Sequence, residues 1–221
     1  MPEARPLGLL GGTFDPIHFG HLRLAEEARE ALALEQVCLI PTGNPPHRAA
    51  PTSSAETRLE LVRHAIAGNP ALIVDDGEVR ANGKSYTVVT LERLRERFGA
   101  HRPLVLILGA DAFNGLPTWH RWTELFALAH IAVANRPGFA PHERRWPGEL
   151  APALAEACRQ RITTDAGVLA HSPAGAIVPF DMTPLAISAS LVRDLIRAGQ
   201  SARYLLPDSV LDYIEAHHLY R

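Results

Sequence analysis

Short, wholly apolar runs recur along the chain, separated by stretches in which apolar residues return with a helical period. Residues 7–10 form the first run and end at Gly11-Gly12. Similar runs follow at 37–40, 104–108, 131–134 and 176–180, with a brief one at 72–74. Runs this short, without polar alternation, read as strands buried on both faces. Between them the period changes. From about Gly20, the residues Leu24, Ala28, Ala31 and Leu32 share one helical face. Leu59, Val62 and Ile66 do so within 56–67, and Val88, Leu91, Leu94 and Phe98 within 86–98. Another helix is expected over about 120–129, and two more close the chain at about 188–198 and 208–217. Residues 42–54 make a Pro-rich loop, long for a simple connection and therefore of functional interest. Residues 137–152 are rich in Pro and Gly and show no clear period.

Strands alternating with amphipathic helices predict an α/β fold, a doubly wound parallel sheet covered on both faces. One domain over 1–221 is expected, with a small helical C-terminal part from about 185. Ligands in such folds bind beyond the carboxyl ends of the strands. That directs attention to residues 11–21, 41–48, 109–111 and 135–138.

Composition narrows the class. The 221 residues are 47% hydrophobic and 21% charged, enough for a core without disulfides or structural metal. A net charge of -2 argues against a general nucleic-acid-binding surface but leaves room for a local phosphate pocket. Cys38 and Cys158 do not make a disulfide framework, and Cys38 reads as a buried strand residue. The start lacks a signal-peptide pattern, and no apolar run approaches the roughly 20 residues that span a bilayer. A cytoplasmic protein without membrane contact is expected. The apolar faces of the last two helices (Leu191, Leu195, Val210, Ile214) could serve the core or a contact in a homo-oligomer.

Two segments carry chemistry. In the first, Gly11-Gly12-Thr13-Phe14-Asp15-Pro16-Ile17-His18-Phe19-Gly20-His21, two glycines let the chain turn sharply after a strand. His18 and His21 bracket a helix start, where free amides and the positive dipole end suit a phosphate. Gly20 leaves room for close approach. The spacing also fits two helix-capping histidines, or a metal pair. The metal reading is weaker, since no third zinc-type ligand lies nearby. In the second, Ile187-Ser188-Ala189-Ser190-Leu191-Val192-Arg193, Ser188 is placed as an N-cap and Arg193 lies in the second turn. Alone this is a capped helix; with the first segment it makes a phosphate cradle.

With Gly-Gly-Thr-Phe-Asp-Pro-x-His-x-Gly-His near the start and Ile-Ser-x-Ser-x-x-Arg near the end, the chain resembles the nucleotidyltransferases that carry a His-x-Gly-His signature. These share a Rossmann-like fold. Further segments resemble the bacterial nicotinate-nucleotide adenylyltransferases in particular: Asn44-Pro45-Pro46-His47-Arg48, Ser85-Tyr86-Thr87, Gly109-Ala110-Asp111, Pro117-Thr118-Trp119 and Arg136-Pro137-Gly138. The likeness covers nearly the whole chain and is thinnest from about 139 to 175. It implies transfer of AMP from ATP to nicotinate mononucleotide, giving deamido-NAD and pyrophosphate in NAD biosynthesis. It implies Mg²⁺ carried on the ATP phosphates, with no metal site on the protein. ATP would be held by Gly11, Gly12, Thr13, Phe14, His18, His21, Asp111, Arg136, Ile187, Ser188 and Arg193, with His18, His21 and Arg193 catalytic. The acceptor would be held by Asn44, His47, Arg48, Thr87, Trp119 and His120. Where some relatives have Tyr after the tryptophan, this chain has His120.

A pantetheine-phosphate adenylyltransferase, a cytidylyltransferase or a non-catalytic nucleotide-binding protein are the alternatives. The Pro-Pro-His-Arg and Pro-Thr-Trp segments speak for the nicotinate enzyme. The acceptor phosphate is already an anion, so positioning and positive donors should suffice, without a strong base or covalent intermediate. Phosphates beside the imidazoles would favour their charged form.

Overall fold

A computed structural model of the chain describes residues 5–45, 50–81, 83–135 and 150–221. Its strands are β1 (Leu7–Gly12), β2 (Gln36–Pro41), β3 (Leu72–Val74), β4 (Leu104–Gly109), β5 (His130–Asn135) and β6 (Ile177–Asp181). They form one sheet in the order β3-β2-β1-β4-β5-β6, and every pairing is parallel. The connecting helices are α1 (Phe19–Ala31), α2 (Ala55–Ile66), α3 (Gly77–Arg80), α4 (Thr87–Phe98), α5 (Ala110–Asn114), α6 (Leu125–Leu128), α7 (Pro152–Cys158), α8 (Val168–His171), α9 (Ala189–Arg197) and α10 (Asp208–Ala216). This is the doubly wound, Rossmann-like arrangement.

The apolar runs explain the two layers. Successive strand side chains point to opposite faces, so Val37, Leu39, Val105 and Ile107 join one core, while Cys38, Ile40, Leu104, Leu106 and Leu108 join the other. The first core is closed by Ala25 and Ala28 of α1, Leu61 and Val62 of α2, Val192 of α9, and Val210 and Ile214 of α10. The second is closed by Val88, Leu91 and Leu94 of α4 and by Leu154 of α7. Val210 and Ile214 are therefore spent inside the chain's own core, whereas Leu191 is exposed.

Three details differ from the sequence pattern. The helix expected over 120–129 is broken: Arg121 sits in the left-handed region (φ 51°), a single 3-10 turn covers Trp122–Glu124, and α6 starts only at Leu125. Ala31 faces solvent, and Ala25 takes its place in the buried stripe with Ala28 and Leu32. The short helices α3, α5 and α8 have four or five residues, too few to show a period. Among the described residues, no helix is long and apolar enough to cross a membrane.

Behind β3, the buried Asp75 carboxylate accepts from Arg93 Nη1 (3.1 Å) and Arg97 Nη1 (2.9 Å), both on α4, and from the Gly77 amide (3.1 Å). Burial alone would raise its pKa. The hydrogen bond and charge of Arg93, helped by Gly77 and Arg97, outweigh burial and hold the carboxyl below the ordinary aspartate value. A pKa lower in the folded than in the unfolded chain gives stability that is complete above the unfolded value, about 4, and fades as pH falls through the folded value. Replacing Asp75 by Asn should cost about 1–3 kcal/mol at pH 7. The gap from wild type should shrink on titration below about pH 4, as read from denaturant midpoints across that range.

Candidate functional site

The strand order reverses at β1. The chain runs outward through β2 and β3, then returns to lay β4 on the other side of β1. A crevice opens at such a point beyond the carboxyl ends of the strands. Here those ends are Gly11-Gly12 and Gly109.

From Gly12 the chain turns into α1 through Thr13–Ile17, with Phe14 in the left-handed region (φ 50°). The Phe14 ring is buried and meets the His21 ring edge-on (5.0 Å between centroids), so Phe14 offers a ligand its backbone rather than its ring. His18 is the N-cap of α1. Its Nδ1 accepts from the Gly20 amide (3.1 Å), and His21 Nδ1 accepts from the His18 amide (3.4 Å). An Nδ1 that accepts carries no proton, so the proton of each ring sits on Nε2. The two rings stack with centroids 3.8 Å apart. With Nδ1 accepting in both rings, Nε2–H is the donor that each ring carries; the charged form expected beside phosphates concerns the complex with substrate. The capping and phosphate-binding readings of these histidines are thus compatible: the cap orients the donor.

The C-terminal segment meets this turn. Ser188 caps α9, its Oγ accepting from the Leu191 amide (3.1 Å). Arg193 Nη1 donates to the Asp15 carbonyl (2.7 Å), and Nη2 to Ser190 Oγ (3.3 Å). A Cβ placed on Gly20 would lie 3.0 Å from the His18 ring and 3.6 Å from the Ile187 carbonyl. Gly20 therefore lets α9's leading edge lie against α1. His18, His21, Ile187, Ser188 and Arg193 come together, across the whole length of the chain.

Arg58, on α2, is a residue that periodicity missed, because it lies on a buried face among Leu59 and Val62. Its guanidinium is 1% exposed and forks to three carbonyls: Thr13 (2.7 Å), Gly43 (3.1 Å) and Ser53 (3.3 Å). Burial lowers its pKa, yet arginine keeps its charge in proteins. Arg58 thereby joins the turn after β1 to the loop after β2.

Next to that turn lies a cavity of about 220 Å³. Its walls include Gly11, Gly12 and Thr13 on one side and Thr87, Trp119 and His120 on the other, over a floor of Leu106 and Leu108. The His120 ring lies 4.5 Å from that of Tyr86. Tyr86 is the N-cap of α4 without a side-chain cap bond, so the first-turn amides by Thr87 are not capped from that residue. Asn44 is exposed beside this wall, its backbone tied to Ser85 at both ends: its amide donates to Ser85 Oγ (3.1 Å) and its carbonyl accepts from the Ser85 amide (2.9 Å). Glu78 also lines the cavity and accepts from Thr90 Oγ1 (2.6 Å). It stands on the four-residue α3 and had no signal in the sequence. Gly43 makes room for it: a Cβ there would fall 2.1 Å from the Glu78 carbonyl, a close approach that only glycine allows. Asp111 lies exposed in the first turn of α5, directly after β4. The sequence-derived candidates His47, Arg48 and Arg136 lie outside the described residues.

Among the described residues, no three His, Cys, Asp or Glu side chains converge as a metal-binding set. The crevice presents imidazole, guanidinium and amide donors, which suit phosphate oxygens. A second cavity, of about 450 Å³, lies at the far end of α9 between Arg197, Arg203 and Leu211, away from these groups.

Comparison with known proteins agrees with this geometry. The profile of the cytidylyltransferase-like family matches residues 9–195, which takes in both motifs. "Probable nicotinate-nucleotide adenylyltransferase" of Dechloromonas aromatica is 56% identical over 218 residues, 99% of each chain. The protein of the same name from Hahella chejuensis is 48% identical over 221 residues, covering 100% of this chain and 98% of its own. Among solved structures, Plasmodium falciparum nicotinic acid mononucleotide adenylyltransferase complexed with NaAD matches with a TM-score of 0.70 at 13% identity, over 98% of this chain and 97% of that one. At that identity the likeness speaks for the fold. The full-length matches speak for more, and the chain belongs to the cytidylyltransferase-like family and, within it, to the nicotinate-nucleotide adenylyltransferases.

Proposed function

We propose that this chain transfers AMP from ATP to nicotinate mononucleotide, releasing pyrophosphate and giving deamido-NAD, the step that builds the dinucleotide in NAD biosynthesis. The observation that carries this reading is that the turn after β1, which bears His18 and His21 and takes Arg193 of α9 on its Asp15 carbonyl, also lines with Gly11, Gly12 and Thr13 a cavity that Thr87 and Trp119 share, at the point where the strand order reverses.

The triphosphate lies over Gly11, Gly12 and Thr13, with the adenosine directed toward Asp111; Arg136 is assigned to the same nucleotide on the family resemblance alone. His18 and His21 donate from one side; the backbone start of α9 at Ile187-Ser188 and the Arg193 guanidinium act from the other. These donors are held by caps and by the Asp15 carbonyl before substrate arrives, so little reorganisation accompanies growth of charge on the leaving pyrophosphate. A divalent metal belongs with ATP in this family; we assign it as Mg²⁺, which would supply positive charge to the ATP phosphates when bound. The acceptor phosphate attacks the α-phosphorus in line and needs no base, being ionised already.

The acceptor ring enters the cavity and stacks on Trp119. Its carboxylate points to the first-turn amides of α4 at Thr87 and to His120, both donors, which favour an acid over a neutral amide. Asn44, His47 and Arg48 serve the acceptor's phosphate end. The two cysteines are buried free thiols, in keeping with a cytoplasmic setting. Residues 1–221 act as one domain, the last two helices packing on the same core as the sheet.

Three measurements test the reading. With Mg-ATP and a panel of mononucleotides, mass analysis should find deamido-NAD, and turnover of nicotinate mononucleotide should exceed that of the nicotinamide analogue; the reverse preference would remove the assignment of the Thr87–His120 end. His18→Ala should lower kcat by about 10² to 10³, and a loss under about fivefold would mean that His18 does not act on the transition state. Trp119→Ala should raise KM for the acceptor by about tenfold while leaving KM for ATP within about twofold.

A further inference from the structure

Asp15 sits in the middle of the turn after β1, 4% exposed, and its side chain is fully engaged. Oδ2 accepts from the Thr52 amide (2.7 Å), and Oδ1 accepts from the Ser53 amide (3.3 Å) and from the Tyr220 hydroxyl (2.8 Å). Tyr220 is itself buried at 6% exposure, in the segment after α10. Burial raises its pKa, and the neighbouring Asp15 carboxylate acts in the same direction, so the phenol stays protonated and donates. The backbone carbonyl of the same Asp15 is the acceptor of Arg193 Nη1. One residue thus receives the end of the chain on its side chain and the phosphate-gripping arginine on its main chain.

We propose that Tyr220 is a positioning residue for the triphosphate grip, acting through Asp15 on Arg193. The argument is geometric. A guanidinium aims well only if its anchor is fixed, and the anchor here is a carbonyl in an irregular turn rather than in a helix or strand. What fixes that carbonyl is the Asp15 carboxylate, whose Oδ2 is held by the Thr52 amide and whose Oδ1 is shared by the Ser53 amide and Tyr220. Without the phenolic donor Oδ1 keeps only the longer bond from Ser53 (3.3 Å), and the carbonyl gains freedom to tilt. A second tie runs parallel, since the Phe19 amide donates to the Leu205 carbonyl (2.9 Å) and holds the α1 start against the segment between α9 and α10. That bond leaves Arg193 untouched, so it does not duplicate the role of Tyr220. A purely structural tyrosine would stabilise the chain without directing Arg193, and the two cases separate by coupling.

This inference rests on the reading that Arg193 grips the triphosphate. The test is a double-mutant cycle in the full chain. It measures binding of Mg²⁺ with the non-transferable analogue α,β-methylene-ATP by calorimetry at 15 °C, with folding checked by circular dichroism. Tyr220→Phe alone should weaken binding by about 5- to 20-fold, and the same change in an Arg193→Ala background should add less than about twofold. Binding changed by less than about threefold, or equal losses in both backgrounds, would overturn the proposal. If Tyr220→Phe does not fold, Asp15→Asn interrogates the same link from the other side under the same criteria. The cycle reads nucleotide binding alone. A wild-type chain that binds the analogue but makes no deamido-NAD would remove the proposed reaction while leaving the Tyr220 result to be judged on its own numbers.

Discussion

Everything at the candidate site depends on holding six residues of irregular backbone, from Thr13 to His18, between a strand and a helix. That turn cannot satisfy its own carbonyls, as a helix or a sheet would. Two arginines do it instead. Arg58 reaches from α2 to the Thr13 carbonyl, and Arg193 reaches from α9 to that of Asp15. Charge-assisted bonds to carbonyls in a buried setting are strong, and a guanidinium can serve several acceptors in one plane. Arg58 uses that capacity to bind the turn to Gly43 and Ser53, so the turn after β1 and the loop after β2 share one rigid post.

The division of labour in the crevice follows. One side is a set of donors, two imidazoles and a guanidinium, each oriented by a hydrogen bond made with another of its atoms. The other side is an aromatic and aliphatic cavity with amides at its end. An enzyme that joins two nucleotides through phosphate needs no more than this: one partner's phosphates neutralised, the other's ring located, and the reacting atoms brought in line. The stacked histidines fit that economy. A cap that fixes Nδ1 as an acceptor decides where Nε2–H points.

The sequence made the fold legible where periods are long or residues are few in kind. Val37 to Ile40 and Leu104 to Leu108 could only be doubly buried strands, and the stripes of α2 and α4 were plain. The Gly-Gly and His-x-Gly-His spacing located the turn after β1, and Ser188 announced the start of α9. Less visible were features made by contact between distant segments. Arg58 reads as one more charge on a helix, Glu78 sits on an element too short for a pattern, and Tyr220 looks like an aromatic in a loose end. Arg121 broke an expected helix through a single backbone angle that no side-chain pattern signals.

By itself, then, the sequence determined the layers, the order of elements and the kind of chemistry, because hydrophobic period and glycine or histidine spacing act over a few neighbouring residues. Tertiary structure alone decided how the two motifs, expected to share a cradle, meet through Arg193 and the Asp15 carbonyl, which histidine nitrogens accept, and which buried charges hold the turn in place. Those depend on atoms that approach within hydrogen-bond distance only after the sheet has brought residues 13, 58 and 193 together, and separation along the chain carries no record of that approach.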